Sequence, residues 1–168
     1  SKELIMTMII YQDGTQETAE ARWLRLSPLL RCPLCRGTLV QQGNAEEKTL
    51  HCQSCHAEHP IKNGVPVLLP LGMRDAGSAE LSKEDKVSRH PYGERAEAII
   101  EQYANGLVLD LGAGGKLERR QNVIQIDIFR YPAVDVASSA DCLPFADNTF
   151  DAVISQAVFE HLQYPELA

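Results

Sequence analysis

The sequence has no long apolar run and no excess of positive charge. No stretch reaches the roughly 18 apolar residues that a membrane-spanning helix requires, so we predict no membrane insertion. The formal net charge of −7 disfavours a protein that binds nucleic acid through bulk electrostatic attraction. The first residues also lack the apolar core of a secretory signal peptide, and we predict a cytoplasmic location. The composition, with 44% apolar and 23% charged residues, is that of a globular protein.

Cysteine is scarce too, but four of the five cysteines form two Cys-x-x-Cys pairs. Cys32 and Cys35 make the first pair, Cys52 and Cys55 the second, and their separation is typical of a zinc ribbon. Four thiolates fill the tetrahedral shell of Zn²⁺ and leave no position for a catalytic water. We therefore predict a structural zinc site at these cysteines, rather than disulfides, in a reducing compartment.

Three histidines lie beside the cysteine pairs. Because four thiolates already complete the shell, we expect His51, His56 and His59 to be surface residues and not ligands. The ribbon has little core of its own, so metal binding is expected to supply much of its folding free energy.

The first part of the chain is predicted to consist mainly of β-hairpins. A weak strand within 4–11 and a helix within 16–30 come first, and short strands then flank the cysteine turns. Asn63-Gly64 predicts a further hairpin, because both positions of its turn need positive φ.

The composition changes after this hairpin. From residue 70 to about 90 it shifts to Gly, Ser, Asp, Lys and Glu without periodicity, which indicates a linker. We therefore divide the chain into a ribbon-containing segment 1–70, a linker 71–91 and a second domain 92–168.

The second domain has the pattern of an α/β fold. An amphipathic helix is predicted within 93–104, with a left-handed stop at Asn105-Gly106. Apolar segments typical of strands follow, with crossover connections between them, at 107–111, 123–127, 134–137 and 150–155. This order predicts a partial Rossmann-like parallel sheet with helices on its faces, preceded by the small β-hairpin zinc ribbon.

The first of these strands runs into a glycine-rich turn, Gly112-Ala113-Gly114-Gly115. Such a turn lets the backbone approach a ligand closely. Asp110 lies two residues before the first glycine, and Asp127 ends the next strand. A carboxylate at that second position can accept hydrogen bonds from both hydroxyls of a ribose.

Charge distinguishes two ligands of such a turn. Asp110 would repel the pyrophosphate of a dinucleotide, and Leu117 stands where that class of turn needs a small residue. S-adenosylmethionine has no phosphate, and its sulfonium and ammonium are attracted by a carboxylate. The sequence favours S-adenosylmethionine, with a tight turn that binds nothing as the plain structural alternative.

The cysteine segment 30–39, the second pair and the run 59–69 together resemble a known domain. They are similar to the zinc ribbon of the small methyltransferase-activator subunits, over roughly residues 28–70. Members of that family bind, stabilise and activate methyltransferases, and in some bacterial proteins the domain is fused to one. The resemblance implies a protein partner through the ribbon.

Four segments of the second domain resemble, in order, class I S-adenosylmethionine-dependent methyltransferases of the type 11 branch. These segments are 108–115, 125–128, 140–145 and 150–162. The resemblance implies the first four strands of a seven-stranded sheet. We accordingly expect either the amino-terminal part of a longer enzyme or a minimal cofactor-binding form.

The resemblance also implies which residues bind the cofactor. Asp127 would hold the ribose, Asp141 and the backbone of Cys142 would read the adenine, and Ile128 and Leu143 would pack on its ring. Independently of the resemblance, Ser155 stands just past the fourth strand, at the edge where ligands of open α/β sheets bind, and we expect it to face the methyl group or its acceptor. The full predicted set is Asp110, Gly112, Ala113, Gly114, Asp127, Ile128, Asp141, Cys142 and Ser155. No catalytic residue is assigned, because displacement at a sulfonium needs mainly alignment and exclusion of water.

This chain departs from the family pattern after the turn. Lys116 stands where many members have glycine, and the helix expected between Gly115 and Val123 is shortened to about two turns.

The leading hypothesis is a methyltransferase with a structural zinc ribbon. A non-catalytic adaptor that activates a partner methyltransferase is the alternative, and a nicotinamide-dependent enzyme is disfavoured by Asp110 and Leu117. The methyl acceptor stays open among small molecules, nucleic acid bases, protein side chains and lipid headgroups.

Overall fold

The computed structural model describes residues 7–44, 46–73 and 89–156. Two α-helices lie in these ranges, α1 (Ala19–Leu26) and α2 (Glu94–Gln102), and a 3-10 turn over Ser27–Leu29 continues α1. The strands in chain order are β1 (Met8–Ile10), β2 (Gln16–Thr18), β3 (Leu39–Gly43), β4 (Lys48–Cys52), β5 (Glu58–Lys62), β6 (Val65–Leu68), β7 (Val108–Leu111), β8 (Val123–Asp127), β9 (Val136–Ser138) and β10 (Ala152–Ser155).

Eight of these strands form one continuous sheet in the order β10-β7-β8-β9-β6-β5-β4-β3. The four strands β10, β7, β8 and β9 are parallel, and β3 to β6 are antiparallel. The two halves meet where Val67 and Leu68 of β6 pair in parallel with Ala137 and Ser138 of β9. The α/β class with a partial Rossmann-like parallel sheet is confirmed, and the ribbon extends that sheet.

The two faces of the parallel strands bury different elements, because successive side chains of a strand point to opposite faces. Val108 and Val123 face α2 and pack with its Ala96 and Ile100. The alternate positions of the same strands form a larger core with residues of α1, the 3-10 turn and the ribbon. The buried members of that core are Leu26, Leu30, Leu50, Leu68, Leu109, Leu111, Ile124, Ile126, Val136, Ala140 and Phe145. The ribbon therefore shares its core with the sheet.

A buried ion pair fastens α1 to the parallel strands. The guanidinium of Arg22 donates from Nε and Nη2 to the two carboxylate oxygens of Asp135, at 2.8 and 2.9 Å, and from Nη2 to the Val123 carbonyl at 2.8 Å. Tyr11 accepts a further hydrogen bond from Arg22 at 3.0 Å. Because both charged groups are almost fully buried, each depends on the other for compensation.

The hairpin predicted at Asn63-Gly64 is confirmed, with φ of 51° and 78° at the two turn positions. The helix predicted within 16–30 is shorter than expected, because Gln16–Thr18 pairs with β1 and Thr18 then caps α1. The left-handed stop predicted at Asn105-Gly106 is wrong, since neither residue has positive φ. Asn122 instead donates to the carbonyls of Ile100 and Tyr103 at the end of α2, both at 3.0 Å.

The short helix predicted between Gly115 and Val123 is also wrong, because this segment has no helical residue. Residues 116–122 have to return past the five residues of β8, roughly 16 Å of strand. A helix of that many residues would span only about 10 Å. The connection is therefore extended.

Most of the predicted linker and the helix predicted after β10 lie outside the described residues. The domain boundaries at 70 and 92 stay a prediction. Within 7–44, 46–73 and 89–156, no helix has the length and apolar character that crossing a membrane demands.

Candidate metal centre and cofactor site

The four ribbon cysteines bring their sulfur atoms into one cluster. All four Sγ atoms lie within 4.8 Å of one another. The Cys32 and Cys55 sulfurs are 3.7 Å apart, and those of Cys35 and Cys52 are 3.4 Å apart. A tetrahedral zinc ion with Zn–S bonds near 2.3 Å separates its sulfurs by about 3.8 Å. The predicted metal-binding cluster is confirmed, and its four-sulfur donor set fits zinc.

The two cysteine turns have matching backbones. Arg36 and His56, which follow the second cysteine of each pair, have φ of 64° and 61°, and their N–H groups donate to the carbonyls of Cys32 and Cys52. Burial raises the pKa of the Cys32 thiol. Burial acts the same way on Cys52, but hydrogen bonds from backbone N–H groups of its turn outweigh it and lower the pKa. The cluster therefore contains a thiol that ionises readily.

His59 is not the surface residue that we expected. It is 6% exposed, and its Nε2 lies 3.4 Å from the Cys32 sulfur. Strand pairing explains the burial, because His59 stands opposite the buried Leu50 on the core face of the ribbon. Burial lowers the pKa of its imidazole, which favours the neutral ring beside the sulfur. His51 and His56 lie nearer the surface, as expected.

The glycine turn adopts a conformation that requires glycine. Gly112 and Gly114 have φ of 65° and 63°, in the left-handed region. The Ala113 N–H donates to the Ile126 carbonyl at 2.9 Å, and the Gly114 N–H donates to Asp127 Oδ2 at 3.0 Å. The turn thus uses two of its own N–H donors to bind the end of β8.

Asp127 stands at the carboxyl end of β8, next to the turn. Its Oδ1 accepts from the Phe129 N–H at 3.1 Å, while Oδ2 accepts from Gly114. Burial raises the pKa of this carboxyl, and the backbone N–H groups oppose that rise. Both oxygens of this carboxylate are therefore held by backbone N–H groups.

Asp110 is fully buried on the α2 face of β7, among residues that sequence reasoning missed. Its Oδ2 accepts from the Tyr92 hydroxyl at 2.8 Å and lies 3.5 Å from the ammonium of Lys116. Burial raises the pKa of the Asp110 carboxyl, and the Lys116 charge opposes that rise. Tyr92 precedes α2, and no periodicity or motif indicated its position. Lys116 was noted only as a departure from the family pattern.

Asp141 and Cys142 lie in the loop after β9. The Ser139 hydroxyl donates to Asp141 Oδ1, and the Cys142 N–H donates to the Ser139 carbonyl at 3.2 Å. The N–H of Cys142, part of the backbone that we expected to read the adenine, is therefore engaged within the loop. The Cys142 thiol donates to the Pro33 carbonyl of the first cysteine turn, at 3.1 Å.

The ribbon holds this same loop through several further contacts. Arg36 donates to the carbonyls of Leu143 and Phe145, at 3.1 and 2.6 Å, and pairs with Asp147. The Arg31 N–H donates to the Pro144 carbonyl at 2.7 Å. The metal centre and the loop that carries Asp141 are therefore joined directly.

Three buried oxygens near the carboxyl ends of the parallel strands accept or donate no hydrogen bond within the described part of the chain. They are Asp110 Oδ1 on β7, Ser138 Oγ on β9 and Ser155 Oγ on β10. Ile128, just past β8, is 37% exposed. Parallel strands end at the same edge, so these groups line the edge where ligands of open α/β sheets bind. The strands and loops that carry the predicted cofactor-binding residues thus end at one edge of the sheet.

The hydrogen-bonding capacity of the glycine turn is largely used within the protein. Two carboxylates flank the turn, and two of the turn's N–H groups are already used inside the protein. No helix follows the turn to offer further N–H donors within the described residues. An anionic pyrophosphate therefore finds no free donors from these groups.

Comparison with known proteins gives two family matches. Residues 24–64 match the model of the family described as Trm112p-like protein. Residues 96–168 match the model described as methyltransferase domain. No solved structure gives a significant match.

Curated relatives match the ribbon part. A UPF0434 protein of Psychromonas ingrahamii is 35% identical over 57 residues, which cover 34% of this chain and 93% of the relative. A UPF0434 protein of Coxiella burnetii is 41% identical over 50 residues, 30% of this chain and 86% of the relative. One from Pectobacterium atrosepticum is 34% identical over 59 residues, 35% and 95% respectively.

Proposed function

We propose that this chain transfers methyl groups from S-adenosylmethionine. The chain belongs to the UPF0434 family through its zinc ribbon, and a methyltransferase domain follows the ribbon in the sequence. The observation that carries the choice of cofactor is the glycine turn. Gly112 and Gly114 bend its backbone with positive φ, carboxylates flank it, and its N–H groups at Ala113 and Gly114 donate to protein oxygens. These features support a cationic nucleoside and disfavour a dinucleotide.

On this proposal, different residues of this edge bind different parts of the cofactor. Asp127, fixed by two backbone N–H groups, would accept hydrogen bonds from the ribose hydroxyls. Asp141 lies in the next loop along the sheet and would bind the adenine edge, with Ile128 against the ring. Asp110 would face the charged methionine end.

When bound, S-adenosylmethionine supplies a methyl group on an electrophilic sulfonium. The protein's part is to align the acceptor with that group and to exclude water. Ser155 Oγ is buried and has no hydrogen-bond partner among the described residues. We propose it as a contact of the methyl group or of its acceptor.

We propose zinc as the resident metal of the four-cysteine cluster, with a structural role. Because β6 pairs with β9 and Arg36 holds the loop after Asp141, the ribbon would act on the methyltransferase domain of its own chain. The protein partner implied by the ribbon family is therefore supplied in cis. An adaptor serving another enzyme is the competing function.

Binding by an Asp127 variant tests the proposal. We expect zinc-loaded protein to bind S-adenosylmethionine in calorimetric titration, and Asp127→Asn to weaken that binding roughly 10-fold or more, since it removes a charged acceptor. Glu58→Gln, which removes one exposed charge from β5, is the matched control and should bind normally. Absence of binding by the folded wild-type chain would favour the adaptor.

A further inference from the structure

Lys116 places a buried ammonium inside the bend of the glycine turn. Its side chain is 6% exposed, and Nζ donates to the Ala113 carbonyl at 2.8 Å. Nζ also lies 3.5 Å from Asp110 Oδ2 and 5.2 Å from the centre of the Tyr92 ring. A carboxylate, a carbonyl oxygen and an aromatic face thus surround one primary ammonium.

This surrounding has the chemistry of a binding site for such a cation. Carboxylate and carbonyl oxygens accept from its N–H groups, and an aromatic ring attracts its charge. Asp110 is fully buried and its Oδ1 has no hydrogen-bond partner among the described residues, so the carboxylate keeps unused capacity at the turn. Because Asp110 is buried, its carboxylate needs a paired cation, whether that cation is Lys116 or a ligand ammonium.

S-adenosylmethionine carries a primary ammonium at its methionine end, the end that the proposed function sets against Asp110. We propose that Asp110 and the Ala113 carbonyl form the subsite for a ligand ammonium, and that Lys116 fills this subsite until the ligand displaces it. This inference rests on the proposed function. It makes Lys116 the residue that sets how strongly the cofactor's amine contributes to binding.

The consequence is a coupling between Lys116 and the amine of the ligand. In the wild-type chain, the amine gains the contacts that Lys116 loses, so it should add little to affinity. In Lys116→Met, whose side chain is one atom shorter and carries no charge, the same amine meets an unpaired buried carboxylate. It should then contribute strongly.

A thermodynamic cycle measures this coupling. S-adenosylhomocysteine and its desamino analogue are titrated calorimetrically into zinc-loaded wild type, Lys116→Met and Lys48→Met. The last variant is the control, because it removes an exposed ammonium from β4. Circular dichroism of each protein verifies that it is folded.

We expect the amine to change the dissociation constant less than about 3-fold in wild type and in the control, and about 10-fold or more in Lys116→Met. An amine effect of the same size in wild type and Lys116→Met overturns the inference and leaves the proposed function intact. If Lys116→Met does not fold, the wild-type titrations alone test the inference. A wild-type dissociation constant that changes about 10-fold with the amine would show that Lys116 does not occupy the subsite, and would overturn the inference. Failure of the folded wild type to bind either nucleoside overturns the proposed function itself.

Discussion

Gly114 and Asp127 show how single residues build the proposed site. The left-handed φ of Gly114 turns its N–H toward Asp127, and this hydrogen bond joins the turn to the end of β8. A side chain at that φ is strained by about 1–2 kcal/mol, so the position constrains both folding and binding.

Gly114→Ala should therefore lower the free energy of unfolding by about 1–2 kcal/mol and weaken S-adenosylmethionine binding as well. Gly14→Ala is the matched control, because Gly14 has a φ of 84° in a turn with no atom within 4 Å of an added Cβ. Denaturant unfolding should detect the strain in both variants. Calorimetry should detect weakened binding in Gly114→Ala alone, and equal affinities would argue against a ligand at the turn.

Sequence reasoning at this scale succeeded where a pattern specifies one chemistry. The cysteine spacing predicted the metal-binding cluster, and the glycines predicted the turn at the end of β7. His59, Tyr92 and Lys116 were missed or misplaced because their roles depend on pairings across the fold. His59 is buried by its strand register, and Tyr92 reaches Asp110 from a separate segment.

At the scale of elements, the first cysteine turn lies against the loop that carries Asp141. Arg36 supplies three of the contacts, to two carbonyls and to Asp147. Arg36 has a left-handed φ of 64°, and its guanidinium reaches the loop from the end of the first cysteine turn. Sequence patterns predicted the cysteine turn and the loop but not the contact between them. A local sequence pattern does not specify which distant loop a turn will contact.

Arg36→Met should weaken binding of S-adenosylmethionine by loosening the loop after β9, with a loss of stability of about 1 kcal/mol because the guanidinium is half exposed. Arg31→Met is a suitable control, since the Arg31 guanidinium donates to the nearby carbonyls of Pro28 and Leu30. Calorimetric binding and denaturant unfolding measure both effects. Unchanged affinity in Arg36→Met would separate the ribbon from the cofactor site.

At the scale of the molecule, the ribbon and the parallel strands form one sheet and share one core. The sequence predicted both halves, and it predicted them as separate units. The pairing of β6 with β9 could not be predicted from the sequence. Strands that pair in parallel at a sheet edge show only an apolar composition, which does not identify the partner strand.

Metal removal should consequently destabilise the whole chain. Chelation of the ribbon metal is expected to lower the melting temperature of one cooperative transition by more than about 10 °C, because structural zinc contributes several kcal/mol of folding free energy. Scanning calorimetry with and without EDTA measures this, and added Zn²⁺ should restore the transition. Two independent transitions, with the second unmoved by chelation, would contradict a shared core.

Cofactor binding at the turn between β7 and β8 decides the proposed function, in which this turn binds a cationic sulfur nucleoside. Calorimetric titration of the zinc-loaded chain with S-adenosylmethionine, and separately with NAD, tests it most directly. We predict saturable binding of one S-adenosylmethionine per chain and no heat of binding for NAD. Binding of NAD, or no binding of S-adenosylmethionine by the folded protein, would contradict it.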